Sequence, residues 1–262
     1  MKKSFRNLLI SIALFLIVII FGCSKRANNW TAIEQNKTLV IGIDDSFVPM
    51  DFRQKNGKLV GFDVDLAKAT AKKLGLKADF QTIDWSMKET ELRNGTIDVI
   101  WNGYTQTKTR RKKVLFTRPY LKNQQILVTK KNSQIDSYQK MNNKILGVQT
   151  GSSGYDDLIF KPKILKRRIK NLVLYDTYNE AFIDLKAGRI NGLLIDSVYA
   201  NYYLSHSKYK NEFQKVSLPY PPEEFAVGVS KKDPVLRDKL NSALKSLQKD
   251  GTINKLKEKW FK

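Results

Sequence analysis

The residues whose types and spacing carry chemistry begin with a short run near the middle of the first half. Asp98, Val99, Ile100 and Trp101 read as the end of a buried strand, and Asn102, Gly103, Tyr104 and Thr105 follow as a polar loop. Thr105 or Thr107 then suits the N-cap of a helix over residues 108–113, which carries Arg110. Backbone N–H groups at a helix start attract anions, and a guanidinium grips a carboxylate through two parallel hydrogen bonds. This is chemistry of capture rather than bond-making. Other groups sit where strands should end: Asp44 with Phe47, Trp85 after Asp84, and Asp196. The carboxyl ends of strands are where open α/β sheets hold ligands.

Bond-making chemistry finds little support. The chain has one histidine, His206, in a polar stretch that reads as exposed, and one cysteine, Cys23. No spacing of metal ligands occurs, so neither nucleophilic nor zinc catalysis is indicated, and no cofactor is expected. The loop Thr150-Gly151-Ser152-Ser153-Gly154 has glycines spaced wrongly for a phosphate cradle and no lysine after them, which argues against a nucleotide. Asp63 and Asp65 are read as a helix cap and a structural ion-pair partner. Asp45 and Asp51 are read as solvated.

The elements that must position these groups are legible in outline. Strands are expected over 38–43, 78–83, 97–101, 126–129, 144–148 and 225–229. Helices should cover Leu66 to Leu74, closed by Gly75, and residues 87–93, stopped at Asn94-Gly95. The Thr150–Gly154 loop should open another helix at Tyr155. Leu240, Ala243, Leu244 and Leu247, then Ile253, Leu256 and Trp260, mark two amphipathic terminal helices broken at Gly251. Leu92-Arg93-Asn94-Gly95-Thr96-Ile97 has a counterpart in Leu185-Lys186-Ala187-Gly188-Arg189-Ile190. Each reads as a helix end, a glycine cap and a strand. Two α/β lobes of like construction are implied.

At 262 residues the chain can bury one large or two moderate cores. Its net charge of +22 comes from lysines spread along the whole length. No basic cluster interleaved with aromatics appears, so a surface suited to an anionic envelope is favoured over nucleic-acid binding. Lys2, Lys3 and Arg6 precede an apolar run over 8–21, too short for a membrane span and right for a signal-peptide core. Ile20-Phe21-Gly22-Cys23 resembles the bacterial lipobox, apart from Phe21 where a small residue is usual. The expectation is a signal peptide over 1–22, lipidation of Cys23 and a tether over 23–36. No second cysteine exists to pair with Cys23.

Gly61-Phe62-Asp63-Val64-Asp65-Leu66 resembles the signature of the family 3 extracellular solute-binding proteins, the polar amino acid receptors of ABC importers. Thr70 departs from the aliphatic usual at its place. Asp84-Trp85, the threonine-rich loop before Arg110, Phe116-Thr117-Arg118-Pro119-Tyr120, Asp250-Gly251-Thr252 and Lys259-Trp260-Phe261 follow in the family's order. The resemblance implies a type II periplasmic-binding-protein fold, two α/β lobes joined by two hinge crossings near 121–125 and 218–225. Lobe 1 would span 37–122 and 222–262, and lobe 2 would span 126–217.

By position, Arg110 should bind the ligand carboxylate, assisted by Thr105 and the Ser153 N–H. Asp196 should take the ammonium with the Gly103 carbonyl and the Thr105 hydroxyl. Phe47 and Trp85 should sandwich the ligand side chain and Asp44 should meet its distal polar group, with Asn102 and Gln149 as further candidates. Glutamine, arginine and lysine remain open as ligands. The implied protein is a monomeric, lipid-anchored receptor outside the cell membrane, on a Gram-positive surface, serving an ABC permease. The rival reading is a dehydratase-like enzyme on the same fold.

Overall fold

Short apolar strands alternate with helices along this chain, and twice the chain leaves one sheet for another. The computed structural model describes residues 30–206 and 211–261. The expected signal peptide and Cys23 lie outside these residues. Residues 30–36, expected as the end of a tether, instead form helix α1 (Trp30–Asn36). Its Ile33 is fully buried in the first lobe's core, and the Lys239 ammonium lies 5.1 Å from the centre of the Trp30 ring. One apolar side chain thus anchors a segment whose polar composition showed no pattern.

In chain order, the first lobe begins with β1 (Thr38–Ile43), then β2 (Ser46–Phe47), β3 (Asp51–Arg53) and β4 (Leu59–Val60). Next come α2 (Phe62–Lys73), β5 (Lys77–Thr82), a 3-10 turn over Trp85–Met87 and α3 (Lys88–Asn94). The lobe's first pass ends with β6 (Val99–Ile100), α4 (Lys108–Arg111) and β7 (Val114–Phe116). The crossing strand β8 (Leu121–Asn123) leads into β9 (Gln125–Lys130), β10 (Ile145–Gln149) and α5 (Ser153–Phe160). The second lobe continues with β11 (Asn171–Tyr175), α6 (Tyr178–Ala187), β12 (Gly192–Asp196), α7 (Ser197–His206) and β13 (Phe213–Ser217). A return strand β14 (Glu223–Phe225) pairs antiparallel with β8, and β15 (Gly228–Ser230), α8 (Pro234–Lys249) and α9 (Thr252–Phe261) rejoin the first lobe.

Both main sheets share one plan, with strand orders β5-β1-β6-β15-β7 and β11-β10-β12-β9-β13. In each, three parallel strands are followed by an antiparallel strand that arrives from a crossing, β15 in one and β9 in the other. Parallel strands are covered by helices on both faces, which is why β1, β10 and β12 are almost wholly buried. The helix, glycine and strand repeat is present as expected, with Gly95 and Gly188 as left-handed C-caps. Helix α8 shows how closely pattern tracks packing. Pro234 opens it, the Asp233 side chain accepts from the Leu236 N–H at 2.9 Å, and Leu236, Leu240, Ala243, Leu244 and Leu247 form its buried stripe.

Two expectations change in detail. The strand read over 97–101 pairs only at Val99–Ile100, and the helix after Thr107 is a single turn. Tertiary contacts hold this segment: the Asp98 carboxylate accepts from the Val40 N–H at 2.8 Å, and the Trp101 N–H reaches the Gly42 carbonyl at 3.2 Å.

Candidate ligand-binding site

The loop after β6 is fixed from both sides. Thr107 caps α4 by accepting from the Arg110 N–H at 3.1 Å, which settles the choice between Thr105 and Thr107. Thr105 pairs with Phe225 of the return strand, and the Tyr104 carbonyl accepts from Ala226 at 3.0 Å. Gly103 sits at φ +54°, where a Cβ would lie 2.7 Å from the Phe47 ring. Only glycine meets both demands without strain. Its N–H donates to the Asp63 carboxylate at 2.7 Å.

Arg110 is buried, with its guanidinium 4.6 Å from the centre of the Tyr104 ring. It donates to the Thr105 carbonyl at 3.1 Å and, across the cleft, to the Gly151 carbonyl at 2.9 Å. Among the described residues no carboxylate bonds it. Asp196 is its counterpart, buried at the end of β12. Its carboxylate accepts from the Tyr178 hydroxyl at 2.8 Å, from the Gln125 amide at 2.8 Å and from the Asn123 amide. No cation bonds it among the described residues. Burial pushes the Asp196 carboxyl up, against the pull of these hydrogen bonds and of the Arg110 charge.

The remaining expected groups gather round the same space. Asp44, Phe47, Trp85, Asn102, Gly103, Thr105, Arg110, Gln149, Ser153 and Asp196 all line one cavity between the lobes, joined by Ser152. Phe47 stands 5.8 Å from the Tyr178 ring and 5.5 Å from the Tyr199 ring of the second lobe. Trp85 packs edge-on against Tyr104 at 5.9 Å. At the other end, Asp44 accepts from Ser46 through both its N–H and its hydroxyl, and from the Gln149 amide at 3.0 Å. Burial pushes the Asp44 carboxyl up, while these bonds pull it down. Asn102 is wholly engaged: it accepts from the Asp44 N–H at 2.9 Å and donates to Asp51 at 2.6 Å. It ties the ends of two strands together.

Several smaller expectations need correction or extension. Asp51 is not solvated but fully buried beneath Asn102, whereas Asp45 stays partly exposed and pairs with Arg53. Asp63 is not a helix cap: buried, it accepts from Gly103 and from the Tyr120 hydroxyl at 2.7 Å, while Asp65 takes the ion-pair role with Lys259. His206 is exposed and stacks on Tyr202. The sequence reading missed Lys88, a buried lysine that donates to the Trp85 carbonyl at 2.9 Å and to Gly151 across the cleft at 3.0 Å. It also missed Asn123, Gln125, Tyr178 and Glu223, which surround Asp196. A lysine within a helical run and polar residues in a crossing read as surface; the pairing of β8 with β14 sets Asn123 opposite Glu223, and Lys88 is drawn in by the Trp85 and Gly151 carbonyls.

Two lobes that meet round one cavity, with a guanidinium on one side and a carboxylate on the other, neither in an ion pair among the described residues, define a small-molecule binding protein. Residues 39–262 match the bacterial extracellular solute-binding proteins, family 3, and the chain belongs to that family. The fold is the type II periplasmic-binding-protein fold. A solved structure of an ABC uptake transporter substrate-binding protein from Streptococcus pneumoniae with bound histidine superposes with a TM-score of 0.88. It is 49% identical and covers 90% of this chain and 96% of that one. The arginine-binding extracellular protein ArtP of Bacillus subtilis is 30% identical over 97% of each chain. The ABC transporter glutamine-binding protein GlnH of the same species is 29% identical over 100% of this chain and 98% of its own. These relatives are transport binding proteins rather than enzymes. Among the described residues no helix is long and apolar enough to cross a membrane.

Proposed function

We propose that this protein is an extracytoplasmic receptor for a polar amino acid, which it holds between its lobes and delivers to an ABC importer's membrane subunits. The carrying observation is that Arg110 and Asp196 line one cavity. A buried guanidinium and a buried carboxylate, each without a direct ion-pair partner among the described residues, are costly unless a ligand completes them. A zwitterion does so at both ends, its carboxylate on Arg110 with Thr105 and Ser153, and its ammonium on Asp196 with Gly103 and Thr105. Phe47 and Trp85 then flank the side chain. Asp44, with one lone-pair site left after Ser46 and Gln149, accepts from a distal amide, guanidinium, ammonium or imidazole. Glutamine and the basic amino acids fit this acceptor, and the names of the relatives support the same group.

The test is a thermal-shift screen over the common amino acids. A melting point raised by glutamine, arginine, lysine or histidine and unmoved by acidic or aliphatic amino acids is the expected result. No shift with any amino acid would overturn the receptor reading. For location, we infer that Cys23 carries a lipid that holds the receptor at the outer face of the cell membrane. Labelled palmitate should enter the wild-type protein, and Cys23→Ala should lose the label and release the protein to the medium.

A further inference from the structure

Asp196 is not the only carboxylate at the crossing. Glu223, on the return strand, accepts from the Asn123 amide at 2.7 Å, from the Gln125 amide at 3.0 Å and from the Ser153 hydroxyl at 3.3 Å. The same two amides also serve Asp196. Two carboxylates therefore share one set of neutral donors, and no basic side chain bonds either among the described residues. Gln125, fully buried, shares its NH₂ group among Asp196, Glu223 and the Ser153 hydroxyl, and leaves its own carbonyl oxygen without a partner. Ser153 links the pair onward to Thr105 at 3.1 Å, within the expected ammonium subsite.

The charges that act most strongly on Glu223 are negative. Asp196 and Asp157 repel it, the Tyr178 hydroxyl is held against Asp196, and Arg110, the cation that Asp196 feels, is bonded to carbonyls. Burial first, and Asp196 second, push the Glu223 carboxyl up to about 7. Two like charges so close do not both ionise readily without a cation. Glu223 also opens on its other side to an outer groove of mixed charge, where Lys108, Arg111, Lys122 and Lys161 stand beside Asp156, Asp157 and Glu224, which gives a proton a way to solvent.

Resting on the receptor reading above, we propose that Glu223 is a positioning residue that holds a proton with Asp196, and that the ligand's ammonium expels that proton when it binds. The free pair carries one negative charge. The incoming cation stabilises the second, so the carboxyl O–H of the pair breaks and H⁺ passes through the outer groove to the buffer. Because binding favours the deprotonated pair, affinity is full above the free-state value and falls as pH drops below it.

The experiment is titration calorimetry with L-arginine and L-glutamine, whose own charges do not change between pH 6 and 8. Measured at pH 7 in phosphate and in Tris, the apparent heat should differ by an amount equivalent to release of about half a proton per ligand. Affinity should be about tenfold weaker at pH 6 than at pH 8. Glu223→Gln, close to isosteric, should weaken binding, abolish the difference between buffers and flatten the pH profile to under about twofold, while Glu223→Asp should restore the pH profile. Equal heats in both buffers for the wild-type protein, or a buffer difference that persists in Glu223→Gln, would overturn the proposal. Absence of heat with either amino acid and in the wider screen would instead overturn the receptor reading, and this inference with it.

Discussion

Two pairs of carboxylates, all buried but the half-buried Glu223, lie within one side chain of the cavity, and their surroundings give them opposite work. Asp51 and Asp63 sit behind the loop of the first lobe. Asn102 donates to Asp51, Gly103 and Tyr120 donate to Asp63, and each keeps one buried oxygen without a partner. Burial, with mutual repulsion, holds Asp51 well above the usual carboxylate range, and burial pushes Asp63 up to about 7. Neither lines the cavity. Asp196, by contrast, faces it, and Glu223 adjoins it through Ser153. Burial without a counter-ion is therefore not in itself the sign of a ligand. What separates the pairs is where the uncompensated charge points, into scaffold or into open space.

The sharpest break between them should come from comparing binding with stability. Arg110→Ala and Asp196→Asn each remove one end of the proposed clamp. Each should cost ligand affinity about 2–5 kcal/mol, a loss of thirtyfold or more, while the ligand-free melting point changes little. Asp63→Ala should do the reverse. It strands the Gly103 N–H and the Tyr120 hydroxyl in the core, at about 3 kcal/mol of stability. Denaturant unfolding beside calorimetry separates the two outcomes. Full affinity in both clamp variants would remove the distinction between the two pairs.

A smaller effect concerns pH. The folded-state value for Asp63, about 7, lies above its unfolded value of 3.8, so the folded protein binds more protons between these limits. Its contribution to stability is present in full below about pH 4 and is lost as pH rises through 7. Asp63→Asn should therefore flatten the fall in melting point between pH 5 and 8 by several degrees. A pH profile unchanged in that variant would show that the proton is held elsewhere.

The comparison also marks what a sequence can reveal. Strands, terminal helices and the paired helix-glycine-strand units were legible because burial imposes a period on apolar residues. All ten expected ligand contacts fall on one cavity because the resemblance carried positions that spacing alone cannot place. Asp51 and Asp63 read as solvated and capping, since local sequence shows a charge and says nothing of the Asn102 and Tyr120 that cover it. Glu223 was invisible for a related reason. It lies in a crossing, 27 residues after Asp196 in the chain, and the two meet only because β14 pairs with β8.

Lys88 provides the finest test, because it is a buried cation set against these buried acids. It bridges the lobes through Gly151, the same carbonyl that Arg110 holds, and has Glu89 at 3.7 Å. Burial, and then the charge of Arg110, pull its ammonium down to about 7 from 10.5. The sign is opposite to that of Asp63: between about pH 7 and 10.5 the unfolded chain binds more protons, so Lys88 lets stability rise with pH in that window. Lys88→Met keeps the volume and loses two hydrogen bonds, of which the Gly151 carbonyl retains its bond from Arg110. Net destabilisation at pH 7 should be about 1 kcal/mol, since relief of a buried charge offsets part of the loss. Affinity should fall less than tenfold, and the rise in melting point from pH 7 to 9 should shrink. A large loss of affinity with an unaltered pH profile would instead place Lys88 among the groups that touch ligand, and shift the clamp's positive side from one cation to two.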